Sequence, residues 1–267
     1  MAKALAATGR FGQRCVYDQA IFHDVCGQAT AMIEPLVMIP PMLCDARVYY
    51  AQLAALSGEL PITFVPITRG ERIEEMASAI LSWLPNKFAL AGMGMGGMVA
   101  MEILRRAPDR VTRVAFISTN AQADSPEVSA LREPLIVAAK TGRFDDAVRG
   151  ELKPSWLAPG PYRADVMSLV SDMARALGPD AYVRQSRAMQ RRKDQQDILR
   201  RIKQPALVMC GAHDGLNTVR RHEFIAELIP YARLEVIDDA GHLPTLENPD
   251  AVTRALRAWL KQPLVLR

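Results

Sequence analysis

From Leu36 onward the chain alternates between two kinds of apolar pattern. Short, largely apolar runs at 36–39, 62–65, 88–91, 111–118, 206–210 and 234–237 read as strands, the first two buried on both faces. Between them, apolar residues recur at helical spacing, as with Ile73, Met76, Ile80, Leu81 and Leu84. The same spacing predicts helices over 46–56, where Asp45 makes an N-cap, and over 95–106, 218–228 and 249–261. Strand–helix alternation of this kind means an α/β fold, a mostly parallel sheet covered on both faces.

The alternation stops between Ala121 and Arg201. Helices are predicted there over 127–140, 143–152, 164–176 and 181–201, punctuated by Pro154, Pro159, Gly160 and Pro161. With no buried-strand run among them, they read as a helical insertion seated over the sheet. The expected organisation is a core in two parts, 1–120 and 202–267, interrupted by a helical cap insertion at 121–201. Residues 1 to about 34 carry no readable chemistry. Val16-Tyr17 and Ala20-Ile21-Phe22 fit short strand or helix equally, and His23 reads as a surface or packing residue.

Composition narrows the class without naming a function. A chain of 267 residues, 49% hydrophobic and 23% charged, has the make-up of a globular protein with a full core. Its net charge of +4 comes from 33 basic and 29 acidic residues, too mild and dispersed for a nucleic-acid binder. The basic stretch from Arg184 to Lys203, with Arg191-Arg192-Lys193 and Arg200-Arg201, is interleaved with Asp194, Asp197 and glutamines, and reads as a solvated helix face. Cys15, Cys26, Cys44 and Cys210 have no metal-ligand spacing and read as buried apolar residues or free thiols of a reducing compartment. No signal-peptide core or bilayer-spanning run is visible, so a cytoplasmic address and no membrane partner are expected.

The most informative stretch is 88–102. An apolar strand enters a turn containing Gly92, Gly94, Gly96 and Gly97 and leaves as a helix, the layout of a nucleophile elbow. Residues flanking the nucleophile of such a turn must be small, and Gly92, Gly96 and Gly97 satisfy that. The position of the nucleophile itself, between Met93 and Met95, is Gly94, which has no side chain. The spacing Gly92-x-Gly94-x-x-Gly97 also fits a dinucleotide-binding turn; its place after two strands and the missing acidic residue on the next strand weigh against that reading.

Two later strands end in chemistry. The run at 206–210 leads into Gly211-Ala-His-Asp214, and the run at 234–237 leads into Asp238-Asp-Ala-Gly-His242. In a parallel sheet these loops share one edge with the elbow. A histidine there can act as base, and an aspartate can hold its tautomer. His242 and Asp214 suit those roles, whereas His213 and His222 read as surface or supporting residues. The methionines around the elbow, Met93, Met95, Met98 and Met101, read as core, with one or two lining an apolar pocket.

These motifs resemble the α/β-hydrolase family over nearly the whole chain from Leu36. They comprise Pro40-Pro-Met-Leu-Cys-Asp45, Gly92-Met-Gly-Met-Gly96, Cys210-Gly-Ala-His-Asp214 and Ala240-Gly-His-Leu-Pro-Thr-Leu-Glu-Asn-Pro249, in the family's order. Small esterases, lactonases and C–C bond hydrolases are the nearest in kind. The resemblance implies a small-molecule carbonyl substrate, a triad at 94, 214 and 242, and an oxyanion hole formed by the N–H groups of Met42 and Met95. It implies no cofactor and no metal. The chain departs from the family at Pro40-Pro41, where His-Gly or Pro-Gly is usual, and at Gly94, where serine is usual. Gly94 leaves three readings: a serine hydrolase disabled by replacement of its nucleophile, a natural enzyme using the His242–Asp214 dyad alone as a lyase, cyclase or oxygenase, or a ligand-binding protein. The first is the primary expectation. Thr119 and Asn120, at a strand end, are further candidates for the pocket mouth.

Overall fold

The computed structural model describes residues 34–264; the expectations on Cys15, Val16, Tyr17, Ala20, Ile21, Phe22, His23 and Cys26 lie outside them. Six strands form one sheet: β1 (Leu36–Ile39), β2 (Ile62–Phe64), β3 (Phe88–Met93), β4 (Val111–Ile117), β5 (Ala206–Gly211) and β6 (Ala232–Ile237). Their spatial order is β2-β1-β3-β4-β5-β6, and every pairing is parallel. The chain moves outward from β1 to β2 and then returns to place β3 on the other side of β1. That reversal makes a topological switch point, where the loops after β1 and β3 diverge and leave a crevice.

Alternate residues of the central strands enter two separate cores, which explains why the strands read as largely apolar runs. Val37, Ile39, Leu90, Val114, Phe116 and Val208 pack on one face with α2 (Ile73–Leu81), α3 (Met95–Arg106) and α10 (Val219–Leu228). Leu36, Met38, Ala91, Ala115, Ile117 and Met209 pack on the other, under α1 (Tyr50–Leu56) and α11 (Pro249–Leu260). The outer strand β2 is only half-buried, so the expectation of a second fully buried strand is corrected: an edge strand lacks one neighbour.

Among the described residues no strand lies between β4 and β5. That stretch holds α4 (Pro126–Ala130), α5 (Glu133–Lys140), α6 (Phe144–Glu151), α7 (Arg163–Leu177), α8 (Pro179–Gln190) and the single turn α9 (Gln196–Leu199). They have a core of their own, in which Ile136, Ala139, Val148, Ala174 and Tyr182 meet Leu43 from the loop after β1. Three predicted helices divide. The one over 127–140 breaks before Glu133, and Pro134, which has no N–H to give, sits in the first turn of the new helix. The one over 181–201 breaks after Gln190, where the side chains of Arg192 and Gln195 turn inward. The one over 46–56 begins as a tight 3₁₀ turn at Ala46–Tyr49, with the Arg47 N–H donating to the capping Asp45 carboxylate at 3.0 Å.

Candidate active site

The turn from β3 into α3 is held by contacts that only glycine permits. A β-carbon on Gly96 would lie 2.3 Å from the Ile39 carbonyl oxygen, and one on Gly92 would lie 2.4 Å from that of Gly96. Strand β1, strand β3 and the helix start therefore meet backbone to backbone. Gly94, at the apex, has φ +54° and ψ −119°, a conformation that strains any residue with a β-carbon. Its N–H donates to the Ile117 carbonyl at 2.9 Å, and its own carbonyl accepts from the Thr119 hydroxyl at 2.6 Å. Both ends of the peptide are thus fixed to the strand next door.

His242 follows β6 and Asp214 follows β5, and the structure brings them together. The His242 Nδ1 lies 3.0 Å from Asp214 Oδ2 and 3.2 Å from Oδ1, with both side chains buried. Asp214 Oδ1 also accepts the N–H groups of Leu216 at 2.9 Å and Asn217 at 2.7 Å. Acceptor capacity filled this way fixes the carboxylate in place before any ligand arrives. The His242 backbone is held too, its N–H donating to the Trp156 carbonyl at 2.8 Å. The Trp156 ring stands edge-on to the imidazole, with centroids 6.0 Å apart.

Glu247 explains the acidic residue within the histidine motif, for which sequence reasoning had no role. Its Oε2 accepts the N–H of Ala158 at 2.7 Å and of Gly241 at 2.9 Å, and its Oε1 accepts that of Leu243 at 2.8 Å. One carboxylate thereby clamps the residues on either side of His242 and joins them to the segment after Trp156. The spacing Gly241-His242-x₄-Glu247 was the signal, because a carboxylate five residues on can fold back over the loop.

A cavity of about 810 Å³ opens above these residues. Gly94, Met95, Pro41, Met42 and His242 line its floor, and Asn120 lies on its wall. Met95 is the first residue of α3, so its N–H has no acceptor within the helix. The Met42 N–H likewise has no acceptor among the described residues. The loop carrying Met42 is fixed from outside the sheet: Gln185 of α8 accepts the Leu43 N–H at 3.0 Å and donates to the Ile67 carbonyl at 3.1 Å.

A β-carbon added to Gly94 would lie 3.9 Å from His242 Nε2, but 2.9 Å from the Pro41 Cβ. The imidazole thus faces the point from which a nucleophilic side chain would project, and proline crowds that point. Neither described cysteine substitutes for one. Burial raises the Cys44 thiol far above its usual range, with Asp45 adding to the effect, although Cys44 borders the cavity. Burial, reinforced by Asp214, pushes Cys210 up to about 12.

Two expectations change, and the one for His222, surface or supporting, narrows to supporting. His222 is fully buried, accepting the Thr119 N–H at Nε2 (3.0 Å) with Nδ1 3.1 Å from the Thr218 carbonyl; it braces the elbow from below. Thr119 serves the elbow carbonyl, while Asn120 reaches the cavity. The basic stretch is not one solvated face. Arg191 and Lys193 reach outward to Glu71 and Glu74, whereas Arg192 turns into the cavity and pairs with Asp124 at 2.6 Å. Among the described residues no helix is long and apolar enough to cross a membrane, and no group of three His, Cys, Asp or Glu residues is arranged to hold a metal.

The alpha/beta hydrolase family model matches residues 41–255. The chain is 30% identical to a pimeloyl-[acyl-carrier protein] methyl ester esterase of Aromatoleum aromaticum, over 68% of this chain and 77% of that protein. It is 25% identical to 3-oxoadipate enol-lactonase 2 of Acinetobacter baylyi, over 72% of each. A thermophilic esterase from Thermogutta terrifontis superposes with TM-score 0.77 at 26% identity, over 85% of this chain and 89% of that one. The enol-lactonase of Burkholderia xenovorans gives TM-score 0.76 at 25% identity, over 86% and 92%. With its sheet order, its elbow and a family match across both halves of the sheet, the chain belongs to the alpha/beta hydrolase family.

Proposed function

We propose that the protein is a hydrolase of small esters, lactones or related carbonyl compounds, working in the cavity above Gly94. His242 is the base, Asp214 holds its tautomer and orientation, and the N–H groups of Met42 and Met95 receive the developing oxyanion. The helices between β4 and β5, residues 121–201, act as the cap that shapes the substrate pocket. Esterase and enol-lactonase relatives support this substrate class. The observation that carries the reading is the aim of His242: Nδ1 on Asp214, and Nε2 3.9 Å from the β-carbon position of residue 94.

Because Gly94 offers no oxygen, no acyl-enzyme forms and the triad route is disabled. What is left is what the oxyanion donors and bound substrate supply, with His242 able to activate water. A second reading, that such dyad chemistry is the native activity, is favoured by one contact. Pro41 sits 2.9 Å from where a serine β-carbon would lie, so the glycine suits its surroundings. A paired assay of the chain, Gly94→Ser and His242→Ala on p-nitrophenyl esters and aryl lactones tests both. Turnover by Gly94→Ser alone supports the disabled triad; turnover by the unaltered chain, lost in His242→Ala, supports the dyad. Inert esters and lactones with all three proteins overturn the hydrolase reading.

A further inference from the structure

We infer that Arg192 is a substrate anchor: a guanidinium inside the reaction cavity that takes a free carboxylate carried by the ester or lactone. The inference rests on the hydrolase reading and narrows its substrate class to half-esters or lactones of dicarboxylic acids.

Arg192 follows the end of α8, in the middle of Arg191-Arg192-Lys193, yet it alone of the three is buried, at 9% exposure. Its side chain lines the same cavity as Gly94 and His242. A guanidinium carries five N–H donors in a planar fork, and burying one is costly unless those donors are used. Here only one is well used, from Nη2 to Asp124 Oδ1 at 2.6 Å. The Nη1 group stands 3.5 Å from the Asn120 carbonyl and 3.6 Å from the Met98 sulfur, at the outer limit of hydrogen bonding. The Nε has no partner, nor has Asp124 Oδ2.

A purely structural pair would be expected to fasten the loop after β4 to the end of α8, but Gln195 already does that. Its N–H donates to the Ala121 carbonyl at 2.8 Å, and its amide to the Met98 carbonyl at 2.9 Å. The field of the cavity has the same sign as the anchor. Arg132, Lys153, Arg192 and Arg221 line it against only Asp124 and Glu151, and Arg132 is matched by Glu151 at 2.8 Å. Two positive charges are left over, which favours an anionic ligand. The planar fork suits a carboxylate, which can accept two of its donors side by side.

Reach sets the substrate's length. Met98, beside Arg192, stands three residues beyond Met95 on α3, about 4.5 Å along the axis. A chain of a few carbons therefore separates the anchored carboxylate from a carbonyl held over Met95.

The test is calorimetric binding, which needs no turnover. Monomethyl glutarate and its uncharged monoamide counterpart are titrated into the unaltered chain, Arg192→Met and Asp124→Asn. The anchor predicts that the unaltered chain prefers the acid by about tenfold or more. It predicts that Arg192→Met brings the two ligands within about twofold while leaving the amide's Kd unchanged. Asp124→Asn, isosteric and neutral, removes the competing carboxylate and should tighten the acid several-fold without affecting the amide. Equal affinity for acid and amide in the unaltered chain overturns the anchor, as does an equal loss of both in Arg192→Met. If Arg192→Met does not fold, Asp124→Asn decides, and unchanged acid affinity there is fatal. An acid preference retained while neither the unaltered chain nor Gly94→Ser hydrolyses any ester or lactone keeps the anchor and removes the hydrolase reading. Hydrolysis of neutral esters with no acid preference does the reverse.

Discussion

The two halves of the site are built to different standards. On the β5–β6 side, Asp214 is fixed by two backbone N–H groups, His242 is tied to Trp156, and Glu247 clamps the histidine loop with three more hydrogen bonds. On the β1–β3 side the backbone of an elbow is retained, with its close contacts and left-handed φ, but its apex is glycine and proline fills the adjacent space. The contrast teaches that the geometry of the turn does not depend on a side chain at its apex. Contacts between Gly92, Gly96 and Ile39 hold the turn, and the side chain at 94 contributes nothing to them.

The sharpest way to break this comparison is to place a hydroxyl on the glycine half. Gly94→Ser with Pro41→Gly supplies both the hydroxyl and the room for its β-carbon. If the histidine side is as complete as it looks, ester hydrolysis should rise by about 10³-fold or more over the unaltered chain. Gly94→Ser alone should fall short of the double variant by about 10- to 100-fold, because proline displaces the serine from line with His242. Equal rates in the single and double variants would mean that Pro41 yields freely.

The complete half should in turn be the fragile one. Glu247→Ala leaves three N–H groups without their acceptor, a loss of about 3 kcal/mol or more. For a chain of this size that lowers Tm by roughly 6–12 °C. A change under about 2 °C by calorimetry would show that water replaces the carboxylate. The elbow itself should respond less: Gly94→Ser places a β-carbon at φ +54° and against Pro41, at a cost of about 1–3 kcal/mol. Adding Pro41→Gly should recover only the part due to the contact, and thermal melts of the two variants separate strain from crowding.

Much of this was legible in the chain because the determinants are local. Largely apolar runs follow from burial on both faces, and four motifs in order fix which loops meet at one edge. The failures were of tertiary origin. Ile62–Phe64 looks like any buried run until its place at the sheet edge is known. Arg192 sits in a stretch whose neighbours point to solvent, and only the break after Gln190 turns it inward. His222 lies on a helix between exposed Arg221 and Glu223, so nothing local decides between a surface residue and a brace beneath Thr119. Pro41 could be read as a departure from the family, but not as a neighbour of the missing β-carbon.

The brace gives the smallest predicted effect and tests whether the two halves are joined below the cavity. Burial holds the His222 imidazole below its ordinary value of 6.5, against the opposing influence of the Thr218 carbonyl and Asp214. Its Nε2 accepts the Thr119 N–H, so protonation there would also cost that bond. An unfolded chain takes up the proton near pH 6.5 while the folded chain does not, and stability therefore falls as pH drops through that value. Above about pH 7.5 the group is neutral in both states and contributes no slope. His222→Gln keeps a donor and an acceptor but cannot titrate, so its stability should depend less on pH between about 5.5 and 7. The difference in slope can be at most about 1.4 kcal/mol per pH unit. Parallel stability–pH curves for the two proteins would mean that His222 protonates as readily in the folded chain as in the unfolded one, and that the elbow is not resting on a neutral imidazole.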